Sequence, residues 1–328
     1  MSERLWSLTH RQLMSAVIAL ALPSGAAHPQ PLRDLGYDLV SLELPMVDIH
    51  SRQYQLDVLL ANDNLNLSLL IECKTWAGTV KADQIERYMA TTGIQVIQQS
   101  GITTPSPRTH RADILFVVSP GVERVVVDLV AACSSVAASG WGLVRVVPTG
   151  IEAVHDELSD AALSQSLDAG WEIDIERLPL ERLPYESDAP RWELADAVLQ
   201  TIFSFFATGR REFGIDDVCS DSNGLWAFLA PQHGHIRERV RDEVRTLRRT
   251  ALSGWISVVA TGGGREERWR FSRAASTGVR IAAAFAARHH RYVSILRQEG
   301  RNPVRNDFVE VAPEQLSFAF IVDEAPGS

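Results

Sequence analysis

Lysine is nearly missing from this chain: of 32 basic residues only Lys74 and Lys81 are lysine, and the other thirty are arginine. Arginine is the default cation, so a lysine inside the run IECKT points to a need for a compact ammonium rather than a planar fork. Cysteine is scarce too. Cys73, Cys133 and Cys219 stand far apart with no metal-ligand spacing, which excludes a cysteine-built zinc or iron–sulfur site and leaves reduced thiols, as expected of a cytoplasmic protein. No run approaches the roughly 18 apolar residues that a membrane span needs, so no membrane partner is expected, and there is no internal repeat or low-complexity tract. The 45% hydrophobic and 22% charged content is ordinary for a globular protein, and 328 residues suffice for two domains with separate cores.

A net charge of -9 looks wrong for a nucleic-acid binder until its distribution is considered. Between His233 and Arg305 sixteen arginines stand against six acidic residues, so an acidic body carries one basic limb. Nucleic acid is the expected partner of that limb. The plain alternative is a solvated arginine-rich face.

The stretch QYQLDVLLANDNLNLSLLIECKTWAGTVKADQIERY, residues 53–88, reads as a strand, a polar turn at ANDN, a second strand and, after a loop, a helix from about Lys81. Alternation on the second strand sends Leu70, Glu72 and Lys74 to one face, and a hairpin across ANDN brings Asp57 towards Glu72. Two carboxylates about 4 Å apart repel by roughly 4 kcal/mol at an effective dielectric near 20. A divalent cation relieves that repulsion, and all-oxygen ligands favour Mg²⁺ or Mn²⁺. Such an ion polarises a phosphoryl oxygen, and Lys74 can stabilise the charge that develops, so the implied chemistry is phosphodiester hydrolysis.

Asp57 followed by Glu72-Cys73-Lys74 resembles the active-site signature of the PD-(D/E)XK nuclease superfamily, with Leu56 where its often-absent proline would stand. Gln84 and Tyr88, at i and i+4 on the next helix, are similar to the QxxxY element of its RecB-like branch. The likeness covers about residues 33–147, and the ExK triplet alone is common by chance; the strand context, the upstream acid and the Gln/Tyr helix give it weight. The resemblance implies a restriction-endonuclease-like mixed sheet flanked by helices, with Asp57 and Glu72 as metal ligands, Lys74 assisting the nucleophilic water, and Gln84 and Tyr88 supporting the site. A further upstream acid would complete the metal set, Glu43 in preference to Asp48.

In chain order, residues 9–22 predict a helix with Thr9 as N-cap. The same run resembles a signal peptide, but Glu3 and its shortness argue against export. LGYDLVSLELP predicts a first strand; the helix carrying Gln84 is extended to about Gln99; a polar loop with Arg108, His110 and Arg111 follows. ADILFVVSP, a helix over 122–138 and GLVRVVP then give a βαβ ending. Residues 151–190 show few periodic signals and end in a proline-marked linker, so the first domain is set at residues 1–185. Residues 191–275 predict a helix, a short helix, an arginine-bearing helix and a hairpin around a glycine turn, an α+β order that resembles a winged helix. That likeness implies DNA contacts from Arg237, Arg241, Arg245 and Arg248 on the helix and from Arg265, Arg268 and Arg270 on the wing. Residues 276–328 read as a C-terminal helix with adjacent histidines, which face different ways and make a poor metal pair, and a tail.

The expectation is a Mg²⁺- or Mn²⁺-dependent deoxyribonuclease in DNA repair or anti-phage defence, with DNA as partner and homodimerisation left open. Two alternatives stay open: a catalytically inactive nuclease-fold protein that binds DNA or acts as a scaffold, and a nuclease of RNA.

Overall fold

Leucine- and valine-rich runs between residues 38 and 172 build the central sheet of this protein, whose computed structural model describes residues 8–22, 29–133, 136–175, 190–259, 267–272 and 279–301. The chain divides into two units: Met1–Leu183 with Ala227–Gln232, and Pro184–Trp226 with His233–Ser328.

In the first unit, strands β1 (Asp38–Val47), β2 (Gln53–Asn62), β3 (Leu67–Lys74), β4 (Arg111–Val118), β5 (Gly140–Val147), β6 (Gly150–Glu157) and β7 (Trp171–Glu172) lie side by side in chain order. β1, β2 and β3 are antiparallel, β3, β4 and β5 parallel, and β5, β6 and β7 antiparallel again. β3 and β4 are buried almost end to end, as expected of central strands covered on both faces. The β2–β3 turn sits at residues 63–66, two residues later than ANDN, with Asn66 in the left-handed region (φ 51) that asparagine tolerates.

Helices flank this sheet. α1 (His10–Ala21) is held by a capping box between Thr9 and Gln12, and Leu13 to Ala21 are all buried as it packs on β1, β2 and β3. The short α2 (Pro31–Asp34) follows it. α3 (Ala82–Met89), α4 (Gly93–Ser100) and α5 (Glu123–Ala131) bury Ile85, Tyr88, Met89, Val96, Val126 and Val130 against Leu59, Leu70, Ile114 and Phe116 of the strands.

Two expectations need correction here. The single helix over 81–99 is two, because Thr92 starts a new one: its side chain caps the Gln95 amide at 3.3 Å, and Gln95 returns a bond to the Thr92 amide. The helix over 122–138 stops at Ala131, since the chain beyond it hands the Ala137 and Ala138 amides to the Met89 carbonyl. Residues 151–175, where the sequence shows few periodic signals, form regular elements of the first unit. β6 extends the sheet and α6 (Ala161–Asp168), capped by Asp160, buries only Leu163 and Leu167, too short an apolar stripe to read as periodic.

The second unit is a smaller α+β arrangement of α7 (Arg191–Ala207), β8 (Glu212–Gly214), α8 (Ile215–Ser222), α9 (His233–Arg249), β9 (Ile256–Val259), β10 (Arg268–Phe271) and α10 (Val279–Arg301). β10 pairs antiparallel with both β9 and β8, giving the order β8-β10-β9. Its core is aromatic: Phe206 packs edge-on against Trp255 and Phe271 with ring centroids 5.6 and 5.3 Å apart, and Phe213 stacks on Trp269 at 5.9 Å. The three-residue β8 escaped the sequence, and α10, set apart as a tail element, packs on α7 and belongs to this unit. Arg265 and residues 302–328 lie outside the described residues. No helix among the described residues is long and apolar enough to cross a membrane.

Gly93 is where the α3–α4 break meets the sheet: a Cβ there would lie 2.1 Å from the His110 carbonyl oxygen. Backbone cannot yield as a flexible side chain can, so Gly93→Ala is expected to destabilise the first unit by about 1–3 kcal/mol. A thermal melt showing no loss in that unit's transition would contradict the packing described.

Candidate active site

The pairing of β2 with β3 runs from Asn62↔Leu67 to Val58↔Ile71. One step further the register would oppose Asp57 and Glu72, but there the Cys73 amide turns to the Asp57 side chain and donates to Oδ2 at 2.7 Å. A carboxylate thus closes the ladder where a carbonyl would normally stand. Side-chain alternation along β2 breaks at the same place: Tyr54, Leu56 and then Leu59 enter one apolar cluster, although the pairing with β1 keeps its register from Gln53 to Leu59.

Glu72, only 1% exposed, is surrounded. Lys74 Nζ stands 2.5 Å from Oε1, Gln84 Nε2 donates to Oε1 at 2.8 Å, and Tyr88 Oη bonds Oε2. Gln84 and Tyr88 reach it together because residues four apart share one face of α3. Tyr88 Oη also donates to the Gln55 carbonyl at 2.7 Å, which ties α3 to β2. The structure therefore brings Glu72, Lys74, Gln84 and Tyr88 into direct contact, with Asp57 beside them at the end of the pairing.

Burial first, and then the negative charge of Asp57, push the Glu72 carboxyl up to about 8, against the pull of Lys74 and the hydrogen bonds. Burial and the charge of Glu72 likewise hold the Tyr88 phenol well above its ordinary range. Proton counting agrees. Tyr88 has one hydrogen for two oxygen neighbours, so if it serves Gln55, a protonated Glu72 supplies the other.

His10, the first residue of α1, was not singled out from the sequence. Its Nε2 lies 3.0 Å from Asp57 Oδ2, the same oxygen that takes the Cys73 amide. A lone histidine 47 positions upstream carries no signal in one sequence; only the packing of α1 on the hairpin places it.

The upstream acids do not converge as anticipated. β1 pairs Leu42↔Val58 and Leu44↔Leu56, so Glu43 stands across from Asp57, but its backbone is left-handed (φ 49) and its carbonyl accepts from Gln232 at 3.3 Å. Asp48 braces the β1–β2 turn, accepting from the His50 amide, the Arg52 amide and Arg52 Nε at 2.8, 2.9 and 2.6 Å. Among the described residues no three His, Cys, Asp or Glu side chains form a group able to hold a metal, so Glu43 does not complete a set with Asp57 and Glu72. The remaining pair nevertheless fits a divalent cation by its chemistry: two hard-oxygen donors, one of them a carboxyl raised by burial and then by the charge of the other.

The arginines of the second unit divide into two sets. Arg237 is paired with Asp216 at 2.5 Å and lies over the Trp226 ring, Arg245 is paired with Glu267 at 2.8 Å, and Arg270 with Glu212. Arg241 and Arg248 form no ion pair among the described residues, and Arg268 is exposed on β10. Half of the α9 row is thus neutralised locally.

Because the Glu72 carboxyl is raised, the folded protein keeps a proton that the unfolded chain gives up. Stability from this group is full below about 4.5 and is lost as pH rises through about 8. In chelator, the melting temperature of the parent is expected to fall relative to Glu72→Gln between pH 5 and 9, and Mg²⁺ or Mn²⁺ to offset the fall with proton release. A difference between the two proteins that is flat with pH would refute the buried, uncompensated carboxyl.

Over residues 9–119, from the N-cap of α1 into the residue after β4, the chain matches the family model described as the MJECL32 domain. That span holds His10, Asp57, Glu72, Lys74, Gln84 and Tyr88. No curated protein and no solved structure matches the chain.

Proposed function

We propose that this protein is a metal-dependent nuclease that hydrolyses DNA phosphodiester bonds, in DNA repair or anti-phage defence. The first unit is read as a restriction-endonuclease-like domain and the second as a winged-helix-like DNA-binding domain. The observation that carries the reading is the contact of Glu72 with Lys74 on the same strand end and with Gln84 and Tyr88 on one helix face, beside Asp57. In this reading Asp57 and Glu72 hold the cation. A Mg²⁺ or Mn²⁺ ion there would supply Lewis-acid polarisation of a phosphoryl oxygen. Lys74 stabilises negative charge developing on the phosphate, while Gln84 and Tyr88 are positioning residues that fix both oxygens of Glu72.

For the second unit, the support is the succession α8, α9 and the antiparallel pair β9–β10, to which β8 adds a third strand. The connection between α8 and α9 spans residues 223–232, longer than the three or four residues of a tight helix-turn-helix. Recognition through α9 therefore rests on its arginines rather than on that turn.

A second reading, a nuclease-like protein that binds DNA without turnover, is favoured by one specific observation. Both oxygens of Glu72 already have partners, and two acids rather than three meet at the site. Duplex DNA incubated with Mg²⁺ or Mn²⁺ separates the two. Asp57→Ala and Lys74→Ala are each expected to cost at least about a hundredfold in cleavage rate. Cleavage by the variants equal to the parent's would place the activity elsewhere, and no cleavage by the parent would leave the binder. RNA offered in competition decides the substrate.

Among the α9 arginines, Arg241 and Arg248 are expected to carry the phosphate contacts. Their joint replacement by alanine should lower the slope of log affinity against log salt by about two units, at about 0.9 per contact. Arg237→Ala and Arg245→Ala, which leave Asp216 and Glu267 behind, are expected to weaken binding through added negative charge. An unchanged slope in the double variant would remove α9 from the interface.

A further inference from the structure

Trp76, on the loop between β3 and α3, is 68% exposed, the highest value for a large hydrophobic side chain among the described residues. Its main chain is fixed: the Trp76 carbonyl accepts the Thr79 amide at 3.0 Å and the Thr79 hydroxyl at 2.6 Å. The indole rests on Gly78, where a Cβ would lie 2.5 Å from the ring. One part of the ring is therefore backed by the loop while most of the side chain meets solvent. The same loop begins at Lys74 and ends at Lys81, the only lysines in the chain. Its two ends are the strand that presents Glu72 and the helix that presents Gln84 and Tyr88.

An exposed indole on a loop bounded by two lysines, Lys74 mostly buried against Glu72 and Lys81 exposed, offers what an unpaired nucleic-acid strand requires: a flat surface for a base and, at Lys81, a cation for a flanking phosphate. A base inside a duplex offers no free face, and exposing one costs a few kcal/mol of unstacking. We propose that Trp76 is a stacking platform for an unpaired base, so that the site takes single-stranded or frayed DNA in preference to continuous duplex. The inference rests on the nuclease reading for its location, but stacking itself is measurable without turnover.

The test is fluorescence anisotropy in chelator, with a labelled oligothymidylate and a duplex of equal length. Trp76→Ala is expected to weaken single-strand binding about tenfold while duplex binding stays within about twofold, and Trp76→Phe is expected to keep most of the affinity. An abasic position in the strand should reproduce the loss for the parent. Because the side chain is mostly exposed, melting temperatures of both variants should match the parent's and separate misfolding from lost stacking.

Equal losses on strand and duplex, no loss on either, or failure of Trp76→Phe to retain affinity would each overturn the inference. So would a change of oligomeric mass in Trp76→Ala with DNA binding intact, which would make the indole a protein contact. The two readings fail separately. A parent that never cleaves but loses strand affinity through Trp76→Ala keeps the platform and loses the hydrolase. A parent that cleaves, with Trp76→Ala binding and cleaving as well, keeps the hydrolase and loses the platform.

Discussion

A carboxyl group held where water cannot solvate it, Glu72 at the end of β3, is the constraint around which the first unit is arranged. Burying it costs free energy that only nearby donors and positive charge can offset. Lys74, Gln84 and Tyr88 supply part of that offset, and each comes from a different local device: a strand end, a helix face and a phenol tied back to Gln55. Asp57 works against them, because its charge is the second cause of the raised carboxyl. A purely structural network would be more stable with one of these acids replaced. That both are present, with a lysine in an arginine-based chain, is what the proposed cation site rests on.

Much of this was legible in the residues. Alternation and turn composition located β2 and β3, and the i, i+4 spacing of Gln84 and Tyr88 put both on one face of α3, where the structure has them on Glu72. Other features depend on forces that one sequence does not display. The broken alternation of β2 at Asp57 needs the apolar cluster to choose which leucines it takes, and one sequence gives no sign that Glu43 is left-handed. His10 reaches Asp57 only because an entire apolar helix docks on the hairpin. The break at Thr92 was readable in principle, since Thr92 and Gln95 have capping-box spacing.

Charge in the second unit illustrates the gap between counting and geometry. Sixteen arginines against six acids reads as a strongly basic limb, yet Asp216, Glu267 and Glu212 each hold one of the arginines expected to face DNA. The field of a chain with net charge -9 does not attract a polyanion from a distance. The DNA binding proposed would therefore have to act through local attraction, within about 8 Å at physiological salt.

The six residues 227–232 have a topological consequence. They belong with the first unit although the chain on both sides of them belongs with the second, so the backbone passes between the units three times instead of once. A cut after Leu183 leaves residues 227–232 of the first unit on the fragment that carries the second, and deleting everything after Leu183 removes that piece of the first unit along with the second.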